Sequence, residues 1–164
     1  MTTTTLNVID VFPLGVGVAI PKLDPEAKEK WLKALRSGEY VQAKNKLNDG
    51  AGGFCCLGVL CDISGRGEFR ATSGQDYFTF VDSDGHSDYN MPIILVERWA
   101  YGISVLSQWQ VPMPVEVVQR RHGDEEVQRR LRLGFHEGGV ELNELNDTYD
   151  LTFEEIADVI EIHL

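Results

Sequence analysis

The chain has 164 residues, 43% hydrophobic and 25% charged, the proportions of an ordinary globular domain rather than a disordered chain. At this size a folded chain buries roughly 70% of the surface it exposes unfolded, so a packed core needs no disulfide or metal staple. Fifteen basic against 26 acidic residues leave a formal charge of −11, which argues against binding to nucleic acid or to an anionic membrane surface.

The start of the chain lacks the basic residues and cleavage pattern of a secretory leader, and Val11–Ile20 is too short to cross a bilayer. Three cysteines, two of them adjacent, make a poor disulfide framework. Reduced thiols in a cytoplasm are therefore expected.

Thr2–Thr5 reads as a frayed terminus, and Leu6–Phe12 as a short strand closed by Pro13. Asp24-Pro25 predicts a helix start, with Asp24 capping orphan amides and Pro25 in the first turn. Ala27, Trp31, Ala34 and Leu35 form its apolar stripe, Lys28, Lys30 and Lys33 lie off it, and Gly38 ends it. The run Phe54–Cys61 is apolar all round and favours a buried helix, because Leu57 and Leu60 prefer helix and the run does not alternate.

Tyr77–Val81 reads as a strand, Asp82–Gly85 as a turn, and Tyr89 as part of a returning strand. Met91-Pro92 opens a helix with Ile94, Leu95, Trp99 and Ala100 inward and Gly102 as its stop. Ile103–Val111 is strand-like and ends at Pro112 and Pro114. Glu125–Leu133 reads as a charged helix with Gly134 beyond it, and Gly138-Gly139 as a loop. The last helix has a capping box of Thr152 and Glu155, a staple of Leu151 with Ile156, and a buried stripe of Phe153, Ile156, Ala157 and Ile160. These elements predict a single α+β domain, several short helices packed on a small, mainly antiparallel sheet.

No catalytic set assembles from the sequence. Cys55 and Cys56 sit beside Phe54 and Leu57, a setting for core packing rather than for a thiolate. The cysteine spacing does not suit zinc, and the four histidines are scattered. Asp82, Asp84, Gly85 and Asp88 depart from the spacing of a calcium loop and read as a solvated turn. No metal or cofactor is expected.

Two groups remain as candidate ligand-facing residues. Arg36, Tyr40 and Gln42 bring a charge, an aromatic plane and an amide to the end of the first helix, a combination suited to a nucleotide, although a plain helix cap explains them too. Arg120, Arg121, Arg129, Arg130 and Arg132 form a basic concentration, read first as a solvent face paired with Asp124, Glu125 and Glu126 and second as an anion pocket.

Four segments carry a family resemblance. Trp31–Gln42 (WLKALRSGEYVQ), Phe54–Asp62 (FCCLGVLCD), Met91–Ala100 and Leu145–Asp147 with Leu151–Glu161 (LND, LTFEEIADVIE) occur in matched order. Together they resemble a widespread family of small, mostly uncharacterised phage and prophage proteins. The resemblance covers residues 24–62, 91–102 and 142–163. The first twenty residues and 103–141 look like additions to a shorter core, and Tyr101 interrupts the expected Trp-Ala-Gly order.

The resemblance implies phage origin and a cytoplasmic role during infection, where small accessory proteins often neutralise host defences. The expected function is therefore non-catalytic sequestration of a small anionic, nucleotide-type signal. Arg36 would grip phosphate, Tyr40 would stack on a base, Gln42 and Asn146 would read polar edges, and Arg120 and Arg121 would close the site. A homo-oligomer is compatible with this reading. Its rivals are an acidic surface docking on a host or phage protein, and a thiol enzyme using Cys55 or Cys56.

Overall fold

A computed structural model describes residues 22–101, 110–112, 114–126, 129 and 139–164. Helix α1 (Pro25–Arg36) begins as its sequence dictates: Asp24 Oδ1 accepts from the amides of Glu26 and Ala27 at 3.0 Å each. Gly38, at φ +72°, takes the left-handed conformation just past the helix end. Ala27, Trp31 and Leu35 are buried, and Ala34 is half-buried at the margin of the stripe. Lys30 and Lys33 are exposed, while Lys28 folds over to donate to the Glu161 carbonyl at 2.9 Å.

The apolar run divides. Strand β1 (Val41–Gln42) pairs in parallel with β2 (Gly53–Phe54), so Phe54 belongs to a strand rather than a helix. Cys55 is the N-cap, its sulfur accepting from the Gly58 amide, and α2 runs over Cys56–Ser64 before Gly65 ends it at φ +63°. Every residue from Cys56 to Cys61 is buried. The run lacks periodicity because α2 is surrounded, contacted by α1, by the strand that follows it and by two later helices. Trp31 Nε1 ties α1 to it, donating to the Cys56 carbonyl at 3.0 Å.

Strands β3 (Gly67–Ala71), β4 (Phe78–Asp82) and β5 (Ser87–Asp88) form an antiparallel sheet in that order. The strand expected at Tyr77–Val81 is β4, one residue further on, and Tyr89 falls just after its returning partner. Isolated bridges from Asn48 to Phe54 and Phe78 link this sheet to the β1–β2 pair. Phe54, Phe69 and Phe80 continue across the junction as edge-on aromatic neighbours, with centroids 5.5 and 5.0 Å apart.

Helix α3 (Ile94–Tyr101) starts after Met91-Pro92 rather than at it. Its inward face is also shifted. Val96 and Ala100 are fully buried, whereas Leu95 and Trp99 are half-buried and flank the groove described below. Strand β6 (Gln110–Pro112) pairs antiparallel with β7 (Gly139–Glu141), so Pro112 and Gly139 lie within paired strands rather than beyond them.

Helix α4 (Val115–His122) was not expected, since only Val118 of its side chains is buried. Helices α5 (Leu142–Asp147) and α6 (Phe153–His163) complete the chain. The Thr152–Glu155 capping box is present, and Phe153, Ile156, Ala157, Val159 and Ile160 are buried. Glu154, Asp158 and Glu161 are exposed.

The result is one α+β domain, with helices against small sheets that are antiparallel apart from β1–β2. No helix among the described residues is long and apolar enough to cross a membrane. The readings at Thr2–Thr5, Leu6–Phe12, Gly102, 103–109, Gly134 and Gly138 lie outside the described residues, as does most of Glu125–Leu133.

Candidate functional site

The six residues expected to face a ligand are all engaged within the fold. Arg36 donates through Nη2 to Asp158 Oδ1 at 2.7 Å and Glu161 Oε2 at 2.6 Å, clamping α1 to α6. Tyr40 donates to Asp62 Oδ2 at 2.6 Å, and its ring stands edge-on to Phe54 at 5.3 Å. Burial first, and then the bond to Asp62, push its phenol well above the usual range.

Gln42 and Asn146 meet, but as a structural junction. Gln42 Nε2 donates to Asn146 Oδ1 at 2.9 Å and to the Leu151 carbonyl at 2.7 Å, and its Oε1 accepts from the Phe153 amide. Asn146 Nδ2 donates to the Ala43 carbonyl at 2.7 Å. Arg120 and Arg121 converge on Glu155, and Arg121 also donates to the Asp150 carbonyl at 2.7 Å. Burial would raise the Glu155 carboxyl. The Thr152 amide and the two guanidinium groups outweigh it and hold the carboxyl below its usual value.

A different surface gathers three arginines, two of them without a carboxylate partner among the described residues. An open groove of about 610 Å³ lies between the outer face of the β3–β4 hairpin, the end of α2 and α3. Arg66, Arg70, Arg98, Leu95 and Trp99 help to line it. Its volume falls within the ordinary range of small-molecule sites, about 300–1,000 Å³.

Glu68 and Asp82 also line the groove, and each has a partner within the fold. Glu68 Oε1 accepts from Arg70 Nε at 2.7 Å. Asp82 Oδ1 accepts from the amides of Asp84 and His86 at 2.9 Å each, and Oδ2 meets His86 Nδ1 at 3.1 Å. The guanidinium groups of Arg66 and Arg98 have no carboxylate partner among the described residues. Within an acidic protein they leave the groove as a local cationic surface beside an indole.

Sequence reading passed over these residues for physical reasons. Arg66 and Arg70 belong to a short charged stretch with a single large apolar residue, Phe69, between its charges, and Arg98-Trp99 read as part of a helix face. Two signals were available. An Arg-x-Glu-x-Arg stretch puts alternate charges on one strand face, and a tryptophan beside an arginine pairs a stacking plane with an anion donor.

Asp82, Asp84 and His86 also bring one potential metal-ligating atom each within 4.8 Å of one another. The amides and ring already on Asp82 make this cluster the polar centre of the turn that the sequence suggests. The thiols have the environment of core residues. Cys55, Cys56 and Cys61 are 2% exposed or less, and burial raises all three, Cys55 to about 12. A thiol nucleophile needs the opposite: access and a lowered pKa.

No curated protein and no solved structure matches the chain. A family model described as a domain of unknown function, DUF8296, matches residues 23–164. That span takes in α1 to α6, the groove and the stretch 103–141, and the chain belongs to this family.

Proposed function

We propose that this is a phage-encoded accessory protein of the counter-defence type, which binds a small nucleotide-derived signalling molecule in the host cytoplasm and holds it unchanged. The observation that carries this reading is the pair Arg66 and Arg98, two guanidinium groups without a carboxylate partner among the described residues that line a groove also presenting Trp99. Planar guanidinium forks suit phosphate oxygens, and an indole offers a stacking plane to a base. The phage setting rests on the motif resemblance.

The site differs from the one the sequence suggested. Arg36, Tyr40, Gln42, Asn146, Arg120 and Arg121 each have a partner inside the fold, and ligand binding there would have to break those bonds first. The groove requires no such exchange at Arg66 and Arg98. The buried thiols favour holding over transformation.

The test is to incubate the purified chain with ADP-ribose-type molecules and cyclic dinucleotides, remove free ligand, heat-denature the protein and analyse the supernatant. Recovery of an unaltered molecule in stoichiometric amount is the expected result. A chemically altered product, or no retention of any anionic nucleotide, overturns the reading.

A further inference from the structure

Strand β3 lies at the edge of its sheet and pairs with β4 alone among the described residues. Gly67, Glu68, Arg70 and Ala71 are exposed, with the Glu68 and Arg70 side chains 66% and 60% accessible. An open edge of this kind presents unpaired amides and carbonyls and is a template for another strand. Many proteins guard such an edge with charges of one sign, which repel a second copy. The charges on β3 are of opposite sign.

We propose that a second copy of this chain pairs with β3, edge to edge and antiparallel, about a two-fold axis at Phe69. Such an axis, normal to the sheet, keeps the same face of both sheets on the same side. It places Glu68 opposite Arg70 of the partner subunit and Arg70 opposite Glu68 of the partner subunit, two attractive cross-strand pairs generated by one symmetry operation. An axis at Glu68 would instead set Glu68 against itself and Arg66 against Arg70, and an axis at Arg70 would set Arg70 against itself.

Only the Phe69 register both overlaps the whole of β3 and matches every charge on it. Phe69 itself packs inward on Phe54 and Phe80, so the strand brings a fixed backbone to the interface. The two grooves then lie side by side on one continuous sheet face, with the four charges of the interface between them.

The decisive experiment measures association of the full chain by native mass spectrometry and sedimentation velocity over a concentration series, without ligand. Wild type is expected to form a concentration-dependent dimer. Glu68→Arg and Arg70→Glu each set like charges opposite one another and are expected to weaken it by about tenfold or more. An equimolar mixture of the two variants is expected to recover a heterodimer, because each then meets its opposite, and the double variant is expected to recover the homodimer.

Circular dichroism checks that each variant is folded. A wild type that stays monomeric throughout, single variants that dimerise as tightly as wild type, or a mixture no more associated than its components would each overturn the proposal.

Discussion

Gly58 lies directly against Leu47: a Cβ built on Gly58 would fall 1.7 Å from the Leu47 carbonyl oxygen. This close approach lets α2 pass beneath the 43–50 segment, whose Leu47 carbonyl accepts from the Cys55 amide at 3.3 Å. The obstacle is backbone, so relief requires a helix or a loop to move. Gly58→Ala is therefore expected to cost at least about 3 kcal/mol. Gly38→Ala meets nothing within 4 Å and bears only the strain of φ +72°, expected at about 1 kcal/mol. Urea unfolding of the two variants gives the comparison.

The Gln42–Asn146 junction ties β1 to α5 and to the start of α6. Asn146 is fully buried, and its removal takes one of the bonds from Gln42 and leaves the Ala43 carbonyl without its side-chain donor. Asn146→Ala is expected to destabilise by about 2–3 kcal/mol, and Gln42→Ala, at a more accessible site, by about 1–2 kcal/mol. A double-mutant cycle should show strong coupling, since each change removes the same bond.

Acid should loosen the α4–α6 contact. Glu155 has a carboxyl held below its usual value of 4.5, and Asp150, paired to Lys44 and near Arg121, is held below 3.8. Lowered carboxyl values contribute stability that is present in full above those ordinary values and is lost as pH falls through the lower native ones. Glu155→Gln is expected to be less stable than wild type near neutrality by about 1 kcal/mol, with the gap closing as pH falls below the ordinary carboxyl value of 4.5. Denaturant midpoints at a series of pH values would reveal the convergence.

The thiols should be silent in the native state. With Cys55, Cys56 and Cys61 all buried and their pKa values raised, alkylation in native buffer is expected to be slow and to accelerate sharply in denaturant. Rapid native labelling of a cysteine would revive the thiol-enzyme reading.

Local rules announced the outer helices well. Asp24-Pro25 and the Thr152–Glu155 box act through a few neighbouring bonds, so the sequence carries their full specification. The strand–cap–helix division at Phe54, Cys55 and Cys56 was less legible, because burial on all sides erases the periodicity that separates strand from helix. Strand β3 escaped notice for the opposite reason: it is an exposed edge whose charged residues resemble a loop.

The candidate site was the least legible part. Arg36 looked free in one dimension, and Arg121 looked paired with nearby Asp124, Glu125 or Glu126; both find carboxylates far along the chain, in α6. Arg66 and Arg98 looked ordinary and line one groove only once the end of α2, the β3–β4 hairpin and α3 come together. Partner choice over such separations depends on the folded topology, which neighbouring residues do not encode.

The most direct measurement is titration calorimetry of ADP-ribose and of a cyclic dinucleotide into wild type and into Arg66→Ala/Arg98→Ala, with Arg36→Ala as a comparison. Stoichiometric binding of at least one of the two by wild type, a loss of about a hundredfold or more in the double variant and near-normal affinity for Arg36→Ala are predicted. Undiminished binding in the double variant, or no binding of either molecule by wild type, would contradict the account.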